Sequence, residues 1–210
     1  MAKMMKSANS TLKLFALFIY LAFATSLLSG CNSSPVNTSQ AETTNKPSTS
    51  IPPINLQTNE EIPLGQAHTY AKTGLSLQPP KDWVKKDIPG LSSAFVSDAT
   101  EMPVASLTLI DDTYAGSLSE YIEIELKSIA RAFKGFQRIN QSEFKTNSGM
   151  TGVAIATESE QLGKQVRQIL YFFTGKDSKK FVFTCTFLAK EAEKLSPLCA
   201  ASLQTLKANY

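Results

Sequence analysis

The sequence predicts an α+β domain in which an antiparallel sheet is sandwiched between helices. Three observations carry that expectation. Apolar side chains alternate with period two both before and after a single strongly amphipathic helix. The later strands are separated by tight turns, which favours antiparallel neighbours. Several of those strands are apolar on both faces, and such strands need cover on both sides.

Organised sequence begins near His68. Gly74 to Leu77 alternates apolar and polar positions before Pro79-Pro80 ends the strand. Asp87 to Ser92, with Pro89-Gly90, is turn-like, and Ser93 to Val96 is a short strand. Ala105, Leu107 and Leu109 alternate with Ser106 and Thr108, the pattern of a half-buried strand. The helix is expected over Leu118 to Lys134. Ser117 and Glu120 form a capping-box pair, Leu118, Ile122, Leu126, Ile129 and Phe133 share one face, and Gly135 sits where a left-handed cap belongs.

Period two then returns. Strands are expected over Phe136 to Lys145, Met150 to Thr157 and Val166 to Thr174, with Gly175 to Ser178 as a hairpin loop. Phe181, Phe183, Cys185 and Phe187 share one face of the next strand, with Val182 and Leu188 opposite. Ser196-Pro197 suggests the start of a last helix, on which Cys199, Leu203 and Leu206 share a face.

The N-terminal part reads differently. Lys3, Lys6 and Lys13 precede Leu14 to Ala24, an apolar run of 11 residues. At 1.5 Å per residue it spans roughly 17 Å against about 30 Å of bilayer hydrocarbon, which suits a signal-peptide core and not a membrane span. Leu28-Ser29-Gly30-Cys31 follows. It resembles the bacterial lipobox, in which small residues let a peptidase approach the backbone and the cysteine thiol carries the lipid, palmitate among its acyl chains. The resemblance implies a signal peptide over 1–30, cleavage before Cys31, and a lipoprotein anchored in the cell envelope. Asn32 at the next position favours the periplasmic face of the outer membrane over the inner membrane. From Asn32 to Ser50 only Val36 and Ala41 are apolar besides proline, and Pro52, Pro53 and Pro63 break the following stretch. Such a composition cannot offset its ordering entropy, so 31–65 is expected to be a lipidated, disordered tether and 66–210 the folded domain.

Charge narrows the function classes. The formal charge of the 210-residue chain is +3, but residues 1–30 hold three lysines and no acid. What remains has 18 basic and 18 acidic side chains. A nucleic-acid binder needs a basic excess to displace counterions from phosphates, so no nucleic-acid partner is expected.

The stretch from Gly74 to Trp83 (strand, proline pair, tryptophan) looks like the opening of PsbP-like domains. The Ser117-Leu118 helix start, the Asn147 to Gly152 turn region, the hairpin carrying Thr184-Cys185-Thr186 and the closing helix follow in that family's order. The resemblance covers about residues 66 to 208 and extends to DcrB-like bacterial lipoproteins. It implies an α/β/α sandwich around an antiparallel sheet and a largely non-enzymatic role. It brings no catalytic, cofactor or metal residue that could be transferred.

Candidate chemistry in the domain is sparse. Cys185 and Cys199 are the thiols left once Cys31 is acylated, and an oxidising compartment permits a disulfide between them. The alternative is two buried, reduced cysteines acting as small hydrophobes. His68 is the sole histidine and is expected to be a solvated edge residue; no second histidine or EF-hand spacing suggests a metal. Asp111-Asp112 reads as a turn pair, and Lys85-Lys86 and Lys179-Lys180 as solubilising loop charges. Tyr171-Phe172-Phe173 reads as core beneath the last helix, or else as an exposed aromatic patch. The expected function is a membrane-anchored, non-catalytic binding or assembly module with no cofactor. Its partners would be the membrane, through Cys31, and an envelope protein or small apolar ligand. The rival is a small periplasmic enzyme whose residues converge only in three dimensions, marked by a cleft joining His68 to an acid and a serine.

Overall fold

The computed structural model describes residues 62–209. The signal-peptide and Cys31 readings, and the tether up to residue 61, lie outside the described residues. The chain is already joined to the domain at residue 63. Lys81 donates its N–H to the Pro63 carbonyl, Leu64 bridges to Pro80, and Gly65 N–H bonds to the Pro79 carbonyl at 2.8 Å.

Ten strands and two helices follow among the described residues. They are β1 (His68–Tyr70), β2 (Leu75–Leu77), β3 (Val84–Lys86), β4 (Ser93–Val96), β5 (Ser106–Thr113), α1 (Leu118–Ala132), β6 (Lys134–Lys145), β7 (Thr151–Gln161), β8 (Lys164–Thr174), β9 (Lys179–Leu188), α2 (Ala192–Gln204) and β10 (Lys207–Ala208). A seven-stranded antiparallel sheet runs in the order β3-β4-β5-β9-β8-β7-β6, and a small second sheet runs β1-β2-β10. The longest strands, β6 to β9, are consecutive hairpins, as their intervening turn residues require.

The large sheet has a core on each face, which is why β8 and β9 are apolar on both sides. On one face, Ile122, Leu126 and Ile129 of α1 pack with Ile110, Ile155, Leu170, Phe172 and Val182 of the sheet. On the other, Cys199 and Leu203 of α2 and Leu75 and Leu77 of β2 pack with Leu107, Leu109, Ile169, Tyr171, Phe173, Phe183 and Phe187 of the large sheet. The fold is the α+β sandwich expected.

Helix α1 begins where its cap dictates. Ser117 Oγ accepts from Glu120 N–H at 3.1 Å, and the Glu120 carboxylate accepts from Ser117 N–H at 2.9 Å. Its end differs from expectation. The helix stops at Ala132, Phe133 is extended at φ −124°, and Gly135 with φ +66° opens β6 instead of capping α1. The chain reverses directly into a strand, so the left-handed step falls one residue into β6.

The last helix also starts earlier than Ser196-Pro197 suggests. A 3-10 turn over Ala189–Glu191 leads from β9 into α2 at Ala192, and Pro197 lies inside the helix. Ser196 donates to the Ala192 carbonyl at 2.6 Å, so it serves the helix interior and not its cap. Burial of Leu195, Cys199 and Leu203 holds the first turn despite the missing proline N–H.

Candidate functional site

Where α2 ends its cover of the large sheet, a cleft of about 240 Å³ opens over β6, β7 and β8. Its shape follows from strand periodicity. Register pairs Ser142 with Ala154 and Ala154 with Tyr171, and pairs Asn140 with Ala156 and Ala156 with Ile169. Those positions therefore share a face. Ala154 and Ala156 are too small to fill the space above β7, so the floor stays low. Phe144 forms one wall, its ring 4.8 Å from that of Tyr171 and nearly perpendicular to it. Ala200 and Gln204 of α2 form the other.

Tyr171 is the polar feature of this cleft. The residue is only 2% exposed, yet its hydroxyl has no hydrogen bond to a described residue. The sealed side-chain oxygens without a partner belong to other residues, so the Tyr171 hydroxyl has its opening into the cleft that the residue lines. Burial pushes its phenol well above the ordinary tyrosine value, so it stays protonated and is a donor. Phe172 points the other way into the α1 core, and Phe173 packs beside Phe183. All three aromatics are buried, so the exposed-patch reading is set aside.

A second recess, about 440 Å³ and more polar, lies between β1 and the loop before β4. It is lined by His68, Lys72, Lys85, Ser92 and Asp111 among others. The structure thus brings the sole histidine, a serine and an acid to one depression. Their bonding order is not that of a nucleophile relay, in which serine donates to histidine and histidine to the acid. Ser92 donates directly to Asp111, whose other oxygen accepts from Lys179 at 3.2 Å. His68 is packed edge-on against Tyr70 and Phe95, at 4.9 and 5.4 Å. It is half-buried, not the solvated residue expected. Burial, and then the charge of Lys85, lower its affinity for a proton.

Three charged pairs also depart from expectation. Asp111-Asp112 is not a turn; both residues continue β5, opposite Phe181 and Lys180. Lys180 is not a solvated loop charge. It is buried in β9 with its ammonium donating to the Tyr114 carbonyl at 3.1 Å. Strand alternation places it on the α1 face, where the loop before that helix covers it. Lys85 and Lys86 are exposed, but in β3 rather than a loop.

Cys185 and Cys199 are joined in a disulfide, with Cα atoms 6.4 Å apart. Both are fully buried, so the bond is a fastener inside the core and not an accessible thiol pair. Among the described residues, no group of three or more His, Cys, Asp or Glu side chains is placed to hold a metal. No helix among them is long and apolar enough to cross a membrane.

Sequence reasoning missed the cleft because its key property is an absence of side-chain bulk at Ala154 and Ala156, beside a tyrosine indistinguishable from core. The signal available was the small-residue alternation on β7 next to an aromatic strand.

No family model matches the chain, and no curated protein matches it either. Solved structures do. Cyanobacterial PsbP (CyanoP) from Synechocystis sp. PCC 6803 is 13% identical, with a TM-score of 0.54 over 71% of this chain and 95% of that one. LpqN from Mycobacterium tuberculosis is 14% identical, with a TM-score of 0.50 over 68% of this chain and 84% of that one. At such identities the likeness is one of fold, and the domain has the PsbP-like α+β architecture.

Proposed function

We propose that the chain is a lipoprotein of the bacterial envelope whose PsbP-like domain is a non-catalytic binding or assembly module. The observation that carries this is the lipobox Leu28-Ser29-Gly30-Cys31 behind a matched basic and apolar leader. Lipid on Cys31 would hold the domain at the membrane, with the outer membrane's periplasmic face favoured by Asn32. The solved structure of LpqN, which shares the fold, is described as involved in cell envelope biogenesis, and that supports an envelope role. The balanced charge of the sequence after residue 30 argues against a nucleic-acid partner. Crosslinking in intact cells tests the reading. A reproducible envelope partner is expected; a domain that captures none from any exposed surface argues against it.

The recess holding His68, Ser92 and Asp111 gives the enzymatic alternative a specific form, a small envelope hydrolase using Ser92. The direct Ser92–Asp111 bond and the aromatic packing of His68 weigh against it. Turnover of a simple acetate ester, lost in Ser92→Ala and His68→Gln, would establish the hydrolase. Equal background rates in all three proteins would dismiss it.

A further inference from the structure

We propose that the cleft between α2 and the β6–β8 face binds a small neutral molecule with a flat apolar body and one acceptor oxygen, chemically an aryl ketone or ester. The inference rests on the reading of the domain as a binding module and names the ligand class for it.

Four features select that chemistry. The Tyr171 hydroxyl is held in an almost fully buried residue with no partner, and its phenol remains protonated. Such a donor is satisfied by an acceptor oxygen arriving at the cleft floor. Ala154, Ala156 and Ile169 give a low apolar base, and the Phe144 ring a flat wall, which fit a ring better than a branched body. The polar groups sharing the cleft face, Asn140, Ser142 and Gln204, are uncharged. Glu143 and Lys145 border the cleft from the alternate register, opposite Val153 and Thr151, and carry opposite charges. The pair favours neither sign of ligand charge, whereas a neutral ligand finds amides and a hydroxyl on the cleft face itself.

The space of about 240 Å³ suits one ring with a short substituent. A peptide strand added to the free edge of β6 is a poorer occupant. The ladder is interrupted between Lys134 and Gln137 and again between Arg138 and Asn140. Irregularities and basic side chains of this kind blunt an edge against pairing.

The test uses the mature chain, residues 31–210, kept unacylated by Cys31→Ser, and follows backbone amide shifts by NMR. The probes are acetophenone and its isostere α-methylstyrene, which lacks the oxygen. Acetophenone is expected to saturate shifts at Asn140, Ala154, Ala156 and Ala200. It should bind about fivefold more tightly than α-methylstyrene, the worth of one net hydrogen bond. Tyr171→Phe should erase that preference, and Ala156→Leu should abolish binding of both probes while leaving amide shifts near His68 unchanged. Unsaturable shifts, shifts centred elsewhere, or a preference that survives Tyr171→Phe would overturn the proposal. So would a crosslinked envelope protein seated over Phe144 and Gln204. That last result would remove the ligand while leaving the module reading intact, whereas the absence of both saturable probe binding and a captured protein would strike the module reading itself.

Discussion

Cys199 of α2 is bonded to Cys185 in the middle of β9, and the bond ties the second helix to the centre of the large sheet. It lies among Leu107, Ile169, Phe183 and Leu203 in the α2-side core. The two residues are 14 apart in sequence, so the cross-link closes a short loop that contains the strand-to-helix reversal.

Loss of this bond should cost about 3 kcal/mol in the chain-entropy model. Reducing agent is expected to lower the melting temperature of the wild-type domain and to leave Cys185→Ser unchanged. Two alkylatable thiols in protein prepared from an oxidising compartment would show instead that the pair is reduced in the cell.

The capping box of α1 offers a local test. Ser117→Ala removes the acceptor for Glu120 N–H and should destabilise the domain by about 1 kcal/mol, read from denaturant unfolding. A change within error would mean that the packing of Tyr121 and Ile122, not the cap, sets the helix start.

Gly152 is a packing requirement. A Cβ there would fall 2.3 Å from the Phe172 carbonyl oxygen and 2.7 Å from the Phe173 ring. Gly152→Ala should therefore cost about 1–3 kcal/mol as an overpacking change. Unaltered stability would show that β7 and β8 can part at this point without loss.

His68 gives a pH dependence with a definite sign. Its folded-state affinity for protons lies below that of the unfolded chain, because burial and Lys85 disfavour the cation. The neutral form is present above the unfolded value of about 6.5, and stability is lost as pH falls from there through the lower folded value. As the sole histidine, its ring resonances titrate without overlap. Their midpoint should lie below 6.5, and His68→Gln should flatten the melting-temperature profile in that window. A midpoint above 6.5 would reverse the sign.

Much of the fold was legible because local and global signals agreed. Ser117 and Glu120 mark a helix start by hydrogen-bonding chemistry that needs no tertiary context, and Phe181, Phe183 and Phe187 alternate as a buried strand must. The misreadings fall where tertiary packing overrides a local preference. Pro197 prefers a first turn, yet Leu195 and Cys199 draw the helix back to Ala192. Lys180 looks like a loop charge until the loop before α1 covers it. His68 and Asp111, which the recess joins with Ser92, lie far apart in sequence, and no spacing rule connects them. The β1-β2-β10 sheet depends on a two-residue strand at the far end of the chain, too short to show a period.

The envelope location and the module reading both depend on the lipid anchor proposed at Cys31. Intact-mass analysis of the protein extracted from membranes of the producing bacterium decides whether that anchor exists. The mature chain should begin at Cys31 and carry the added mass of diacylglycerol, and Cys31→Ser should accumulate as an unprocessed, unlipidated precursor. A mature protein that starts elsewhere, or a Cys31→Ser variant that is processed normally, would contradict the claim.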